Sequence, residues 1–161
     1  MELLSPHLDL DRFFQTVHTT PRRALLLDYD GTLAPFRVER EAAVPYPEVR
    51  AALNAILQAR HSRLVIISGR VVNDLLPLIG LDQRPEIWGS HGWERLLPDG
   101  RYTIAPLGQR QAEGLATARA WIAERGLQDT CEDKPASIAV HWRGLSLRAI
   151  QALRPGVRWW A

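Results

Sequence analysis

Two short segments carry side chains whose type and spacing suit phosphoryl chemistry. In Asp28-Tyr29-Asp30-Gly31-Thr32, two carboxylates stand two residues apart and are followed by a glycine and a hydroxyl. Asp28 could attack phosphorus and form an aspartyl-phosphate. Asp30 stands where it could protonate a leaving alcohol and then activate water. Phosphoryl transfer is mostly positioning and charge neutralisation, so a Mg²⁺ shared by the phosphate, Asp28 and Asp30 is the expected cofactor. Gly31 lets the backbone approach the phosphate, and Thr32 offers a hydroxyl. Ser68-Gly69-Arg70 supplies a second hydroxyl, a second glycine and a cation at the start of a helix, where free N–H groups already favour anions. A plain Asx-turn could explain the first segment, and a simple turn the second. An EF-hand loop does not fit, because its sixth position is Leu33 rather than glycine.

The surrounding pattern says what must position these groups. Ala24–Leu27 and Leu64–Ile67 are short, continuous aliphatic runs, each ending in one of the two segments, and they read as buried strands. Helical spacing follows each, with Val49, Leu53, Ile56 and Leu57 on one face of a helix opened by Pro47, and a second helix over 71–78. A helix over 8–18 precedes them. Strand, helix, strand, helix with continuous apolar strands predicts a parallel α/β sheet with ligands outside the carboxyl ends of its strands. The texture changes after about residue 95. Pro98-Asp99-Gly100 marks a turn, residues 109–125 a helix stopped at Gly126, residues 138–143 a half-exposed antiparallel strand, and residues 145–153 a last helix. The expected organisation is a core over 1–97 and a small α+β module over 98–161.

Composition narrows the class. The 161 residues are 46% hydrophobic and 24% charged with a net charge of +2, ordinary for a globular protein. The basic balance comes from arginines spread along the chain with no basic block and a single lysine, Lys134, so no nucleic-acid partner is expected. No run is long and apolar enough for a membrane span or a signal peptide, which predicts a cytoplasmic protein with no membrane partner. Cys131 is alone, so no internal disulfide can form, and it reads as a partly buried small hydrophobe.

Taken together the motifs resemble the haloacid dehalogenase superfamily, in the form seen in trehalose-6-phosphate phosphatases. Leu27–Pro35 looks like the first motif of that superfamily and Val65–Arg70 like its second. Gly89-Ser90-His91-Gly92-Trp93-Glu94 is similar to the stretch where the core crosses to the cap. Glu132-Asp133-Lys134 with His141-Trp142-Arg143 is similar to the sugar-binding pattern of the cap. The resemblance implies an incomplete Rossmann-like α/β core with a parallel sheet, plus a partial α+β cap. It also implies Mg²⁺-dependent hydrolysis of trehalose 6-phosphate, a sugar-phosphate substrate. On that pattern Asp28 is nucleophile and metal ligand, and Asp30 is acid/base and metal ligand. Gly31, Thr32, Ser68, Gly69 and Arg70 surround the phosphate. His91, Glu94, Glu132, Lys134, His141 and Arg143 face the sugar. Residues 132 and 134 share parity, as do 141 and 143, so each pair would project to one face of an extended segment.

The superfamily also uses a third-motif lysine and a fourth-motif acidic cluster, and neither matches this sequence. Lys134 already fits the cap position, and no Asp or Glu follows Asp133. The expectation is a fragment of a longer enzyme, with a naturally short sugar-phosphate binder and a phosphatase of another sugar phosphate as the alternatives. A sheet lacking further strands would leave an open edge that invites self-association.

Overall fold

A computed structural model describes residues 9–141 and 146–153. The chain divides into two compact units, Met1–Ile104 and Ala105–Ala161. In the first, β1 (Ala24–Asp28), β2 (Arg63–Ile67) and β3 (Glu86–Gly89) run parallel, and β4 (Glu94–Leu96) and β5 (Tyr102–Ile104) continue the sheet antiparallel. Strand order follows chain order from β1 to β5. Helix α1 (Leu10–Thr19) precedes β1, α2 (Pro47–Ala59) joins β1 to β2, and α3 (Val72–Ile79) joins β2 to β3.

Local chemistry explains these elements. β2 is central in the parallel part, and its Leu64, Val65 and Ile66 are buried, as a two-sided apolar strand requires. Pro47 sits at the first turn of α2, where its missing N–H costs nothing. Val72, Leu75 and Ile79 put the buried face of α3 on the sheet, at helical spacing. Asp9 caps α1 by accepting from the Arg12 backbone N–H at 2.9 Å. Tyr29 is wholly buried just past β1 and donates to the carbonyl of Ala43 at 2.7 Å. Burial pushes its phenol up to about 12.

The aliphatic run at 24–27 reads as a buried strand, and the structure corrects that reading. β1 lies at the edge of the sheet, and Leu26 is 52% exposed. Its sequence is that of an interior strand, while among the described residues only β2 pairs with it. The short strands β3, β4 and β5 had no clear periodicity to announce them. β5, beyond the turn at Pro98–Gly100, pairs back onto β4 and so belongs to the first unit.

The second unit holds α4 (Gln109–Glu124), a hairpin of β6 (Cys131–Asp133) and β7 (Ile138–Val140), and α5 (Leu147–Leu153). The hairpin closes with the Lys134 N–H on the Ser137 carbonyl at 2.8 Å, and the His141 N–H reaches the Thr130 carbonyl at 2.8 Å. Arg119 of α4 grips the Asp133 carboxylate with two bonds of 2.7 and 2.9 Å. Cys131 is a half-buried free thiol. Trp142 and Arg143 lie outside the described residues.

Candidate active site

The parallel register brings both chemistry-bearing segments to the carboxyl end of the sheet. Asp28 ends β1 opposite Ile67, the last residue of β2, so Ser68-Gly69-Arg70 begins beside Asp28. Asp28 is exposed, and its Oδ2 accepts from the Thr32 hydroxyl at 3.0 Å. The loop between them is pinned from within, because the Tyr29 carbonyl accepts from the N–H groups of Leu33 and Ala34, both at 3.0 Å. Gly31 sits at φ +86°, and a Cβ there would fall 2.5 Å from the Phe36 ring, so only glycine suits this turn.

Asp30 does not stand free. The Arg70 guanidinium donates from Nε to Asp30 Oδ2 at 2.8 Å and from Nη2 to Asp30 Oδ1 at 2.6 Å. Its Nη1 donates to the Arg40 carbonyl at 2.9 Å. Arg70 is 8% exposed, and its hydrogen bond to Asp30 raises its pKa further above the ordinary arginine value. The cation expected to face an anion is thus turned onto the second carboxylate. Ser68 is buried, and its Oγ accepts from the Arg70 backbone N–H at 3.1 Å.

A third loop is stitched to the second. After β3, Ser90 and His91 both adopt left-handed backbone, at φ 48° and 57°. Each such non-glycine residue costs about 1–3 kcal/mol and persists only where its surroundings hold it. Here Ser90 N–H donates to the Arg70 carbonyl at 2.7 Å and His91 N–H to the Ser68 carbonyl at 3.0 Å. The His91 ring lies over Gly69, where an added Cβ would come within 2.6 Å of it. Glu94 is buried rather than open to a ligand. It accepts from the hydroxyls of Ser90 and Tyr102 and from the Val72 N–H, tying the loop to β5 and to the start of α3.

In the second unit, Glu132, Lys134 and His141 form one cluster. Glu132 Oε2 lies 3.0 Å from His141 Nε2 and 3.6 Å from Lys134 Nζ. The Lys134 and Glu132 side chains are only 9% and 15% exposed. Arg143 lies outside the described residues. Sequence reading did not single out Tyr29, Arg40, Ser90 or Tyr102. Tyr29 and Ser90 lay inside quoted motifs, Tyr102 meets Glu94 eight residues away across the β4–β5 hairpin, and Arg40 meets Arg70 thirty residues away.

Two carboxylates at the end of β1 are a partial fit to Mg²⁺, which is commonly held by one or two carboxylates together with substrate phosphate and water. Asp28 offers an exposed oxygen, while both oxygens of Asp30 already serve Arg70. Among the described residues no group of three or more His, Cys, Asp or Glu could hold a metal ion.

Residues 26–145 match the family model for trehalose-phosphatase. The chain belongs to that family. A trehalose-phosphate phosphatase of Mycobacterium ulcerans is 31% identical over 147 residues, covering 87% of this chain and 36% of the relative. A Mycobacterium tuberculosis protein named an uncharacterized glycosyl hydrolase is 32% identical over 146 residues, covering 87% of this chain and 11% of the relative. The chain therefore spans only about a tenth to a third of the length of these relatives. The solved C-terminal domain of trehalose-6-phosphate phosphatase from Candida albicans superposes with a TM-score of 0.71 at 22% identity, over 96% of this chain and 55% of that one. That likeness concerns the fold, an α/β arrangement shared by trehalose-phosphatase family members.

Proposed function

We propose that the chain carries the nucleophile end and part of the sugar-binding module of a phosphatase acting on trehalose 6-phosphate. The observation that carries this reading is the pairing of the Asp28–Thr32 loop with Ser68-Gly69-Arg70 at adjacent carboxyl ends of parallel strands, in a chain of the trehalose-phosphatase family. In the first half-reaction an Asp28 oxygen attacks phosphorus, the bond from phosphorus to the sugar oxygen breaks, and that oxygen takes a proton from Asp30. In the second, Asp30 takes a proton from water, the oxygen of that water attacks phosphorus, and the Asp28 carboxylate is released with inorganic phosphate. Bound Mg²⁺, held by Asp28 and the loop of Asp30, would neutralise phosphate charge.

The remaining residues position and shield. Thr32 holds Oδ2 of Asp28 and leaves Oδ1 for the attack. The Arg70 fork fixes the Asp30 carboxylate, and proton exchange must use the lone pairs that the fork leaves or follow its opening. Ser68 and the Gly69 backbone line the phosphate position. Glu132, Lys134 and His141 offer charged hydrogen-bonding groups suited to sugar hydroxyls. Phosphate release from trehalose 6-phosphate, compared across a panel of sugar phosphates, tests the reaction and the substrate together. Equal rates on all sugars would favour a less selective phosphatase.

A second reading rests on the partial metal fit: the chain by itself binds sugar phosphate and turns it over slowly or not at all. The same assay with and without Mg²⁺, beside direct binding of trehalose 6-phosphate, separates the two. We further propose that the edge of β1, which among the described residues has no partner opposite β2 and carries half-exposed Leu26, pairs with a second copy of the chain, which sedimentation would register as a concentration-dependent mass. No described helix is long and apolar enough to cross a membrane.

A further inference from the structure

The end of the sheet opposite the catalytic loops holds a second charged feature. Because β1, β2 and β3 are parallel, the residues that lead into them come together as surely as the residues that follow them. Ala24 pairs with Arg63, and Val65 pairs with Glu86. Around these amino ends lies a cleft of about 810 Å³ lined by five arginines and one carboxylate. The five are Arg22, Arg23, Arg60, Arg63 and Arg84, drawn from three separate stretches of sequence. β1 and β2 are five residues long, which puts this cleft roughly 16 Å from Asp28.

The charges do not cancel. Glu86 gives one oxygen to Arg63 Nε at 2.7 Å and the other to Arg63 Nη2 and Arg95 Nε, both at 2.8 Å. Its carboxylate is therefore already shared between two cations. Arg23 is occupied with backbone, donating to the carbonyls of Val17 at 2.6 Å and His61 at 3.2 Å. Arg22, Arg60 and Arg84 are exposed, and none of them forms an ion pair with a described residue. Arg60 also holds left-handed backbone at φ 55°, at the end of α2, a position where glycine is the comfortable choice. Arginine there gains a favourable position at the helix carboxyl end, but that accounts for neither Arg22 nor Arg84. Leu57, Leu64 and Pro98 give the cleft an apolar wall beside the cations.

We infer that this cleft is a second anion-binding site, distinct from the catalytic loops, for a small organic molecule carrying two or more phosphoryl groups. Three guanidinium groups from three elements suit a ligand with several negative charges, because each can engage a phosphoryl oxygen pair in its planar fork. The apolar wall suits an organic body attached to those charges, and the cleft has the size of a small-molecule site. A ligand with several phosphoryl groups offers each of these arginines its own pair of oxygens, which a single phosphate ion cannot.

The test is calorimetric titration of the 161-residue chain with sodium tripolyphosphate and, separately, with inorganic phosphate at low ionic strength. Saturable binding of tripolyphosphate is expected, roughly tenfold or more tighter than inorganic phosphate, and weakened steeply by salt. Arg60→Gly should weaken it while keeping or raising the melting temperature, since glycine relieves the left-handed position. The double change Arg22→Ala and Arg84→Ala, at two exposed positions, should abolish saturation with unchanged circular dichroism. Unaltered affinity in these variants, absence of saturation in the unmodified chain, or preference for a single-stranded oligonucleotide over tripolyphosphate would overturn the assignment.

Discussion

Arg70 holds the Asp30 carboxylate with a two-pronged fork while its third nitrogen grips the Arg40 carbonyl. One buried cation thus joins the loop after β1, the loop after β2 and the turn at Arg40–Ala42. Arg70→Ala should therefore lower both phosphate release and thermal stability. The stability loss is expected at roughly 1.5–3 kcal/mol, discounted toward the lower figure because Asp30 is partly exposed. Arg70→Lys keeps the charge without the fork and should recover only part of each. Thermal melting beside phosphate release measures both, and an alanine variant matching wild type in both would remove Arg70 from the site.

Sugar selectivity is expected to reside in the cluster around Glu132. Glu132→Ala or Lys134→Ala should weaken trehalose 6-phosphate far more than an aryl phosphate, which lacks the hydroxyls to be held. Each lost charged hydrogen bond is worth roughly 1.5–3 kcal/mol. Equal losses on the two substrates would assign the pair a folding role.

Acid stability should track Glu86. Its hydrogen bonds to Arg63, then to Trp88 and Arg95, lower its carboxyl from 4.5 to about 2 in the folded protein. A depressed folded-state value stabilises the fold above the unfolded pKa and is lost as pH falls through the folded one. The contribution, on the order of 2 kcal/mol after allowing for the half-exposed arginines, should be present above pH 4.5 and fade toward pH 2. Denaturant melts across that window would show it, and Glu86→Gln should flatten the dependence. A wild-type curve with no decline below pH 4.5 would contradict the assignment.

How much of this was legible beforehand depended on whether the signal was local. The runs at 24–27 and 64–67 and the segments they end in could be read directly, because continuous aliphatic strands and short polar loops are local patterns. The edge position of β1 could not, since an interior-type sequence says nothing about which neighbours are present. The arginine cleft escaped for the same reason. Arg22, Arg60 and Arg84 look scattered along the chain, and only the parallel register gathers them. The Arg70 fork onto Asp30 links residues forty apart. Proximity in sequence suggested that Arg70 serves the helix start and a phosphate, and it gave no sign of the bonds to Asp30 and Arg40. The grouping of Glu132 with Lys134 followed from simple parity, but the approach of His141 needed the hairpin register.

Metal affinity follows from the donor set. With Asp28 and the loop of Asp30 as the available ligands, and no cluster of three donors among the described residues, Mg²⁺ should bind the chain alone with a Kd on the order of 1 mM or weaker. Calorimetry on the purified chain measures this. Micromolar binding would mean that other residues supply ligands.

Asp28 is the attacking nucleophile in the proposed reaction. The most direct test of that role is Mg²⁺-supported phosphate release from trehalose 6-phosphate at high protein concentration, comparing wild type with Asp28→Asn. The amide keeps the shape of the carboxylate and its partner Thr32 but lacks the anionic oxygen, so whatever rate the wild-type chain shows should fall by about two orders of magnitude or more. Turnover by Asp28→Asn equal to that of wild type would remove Asp28 as the nucleophile.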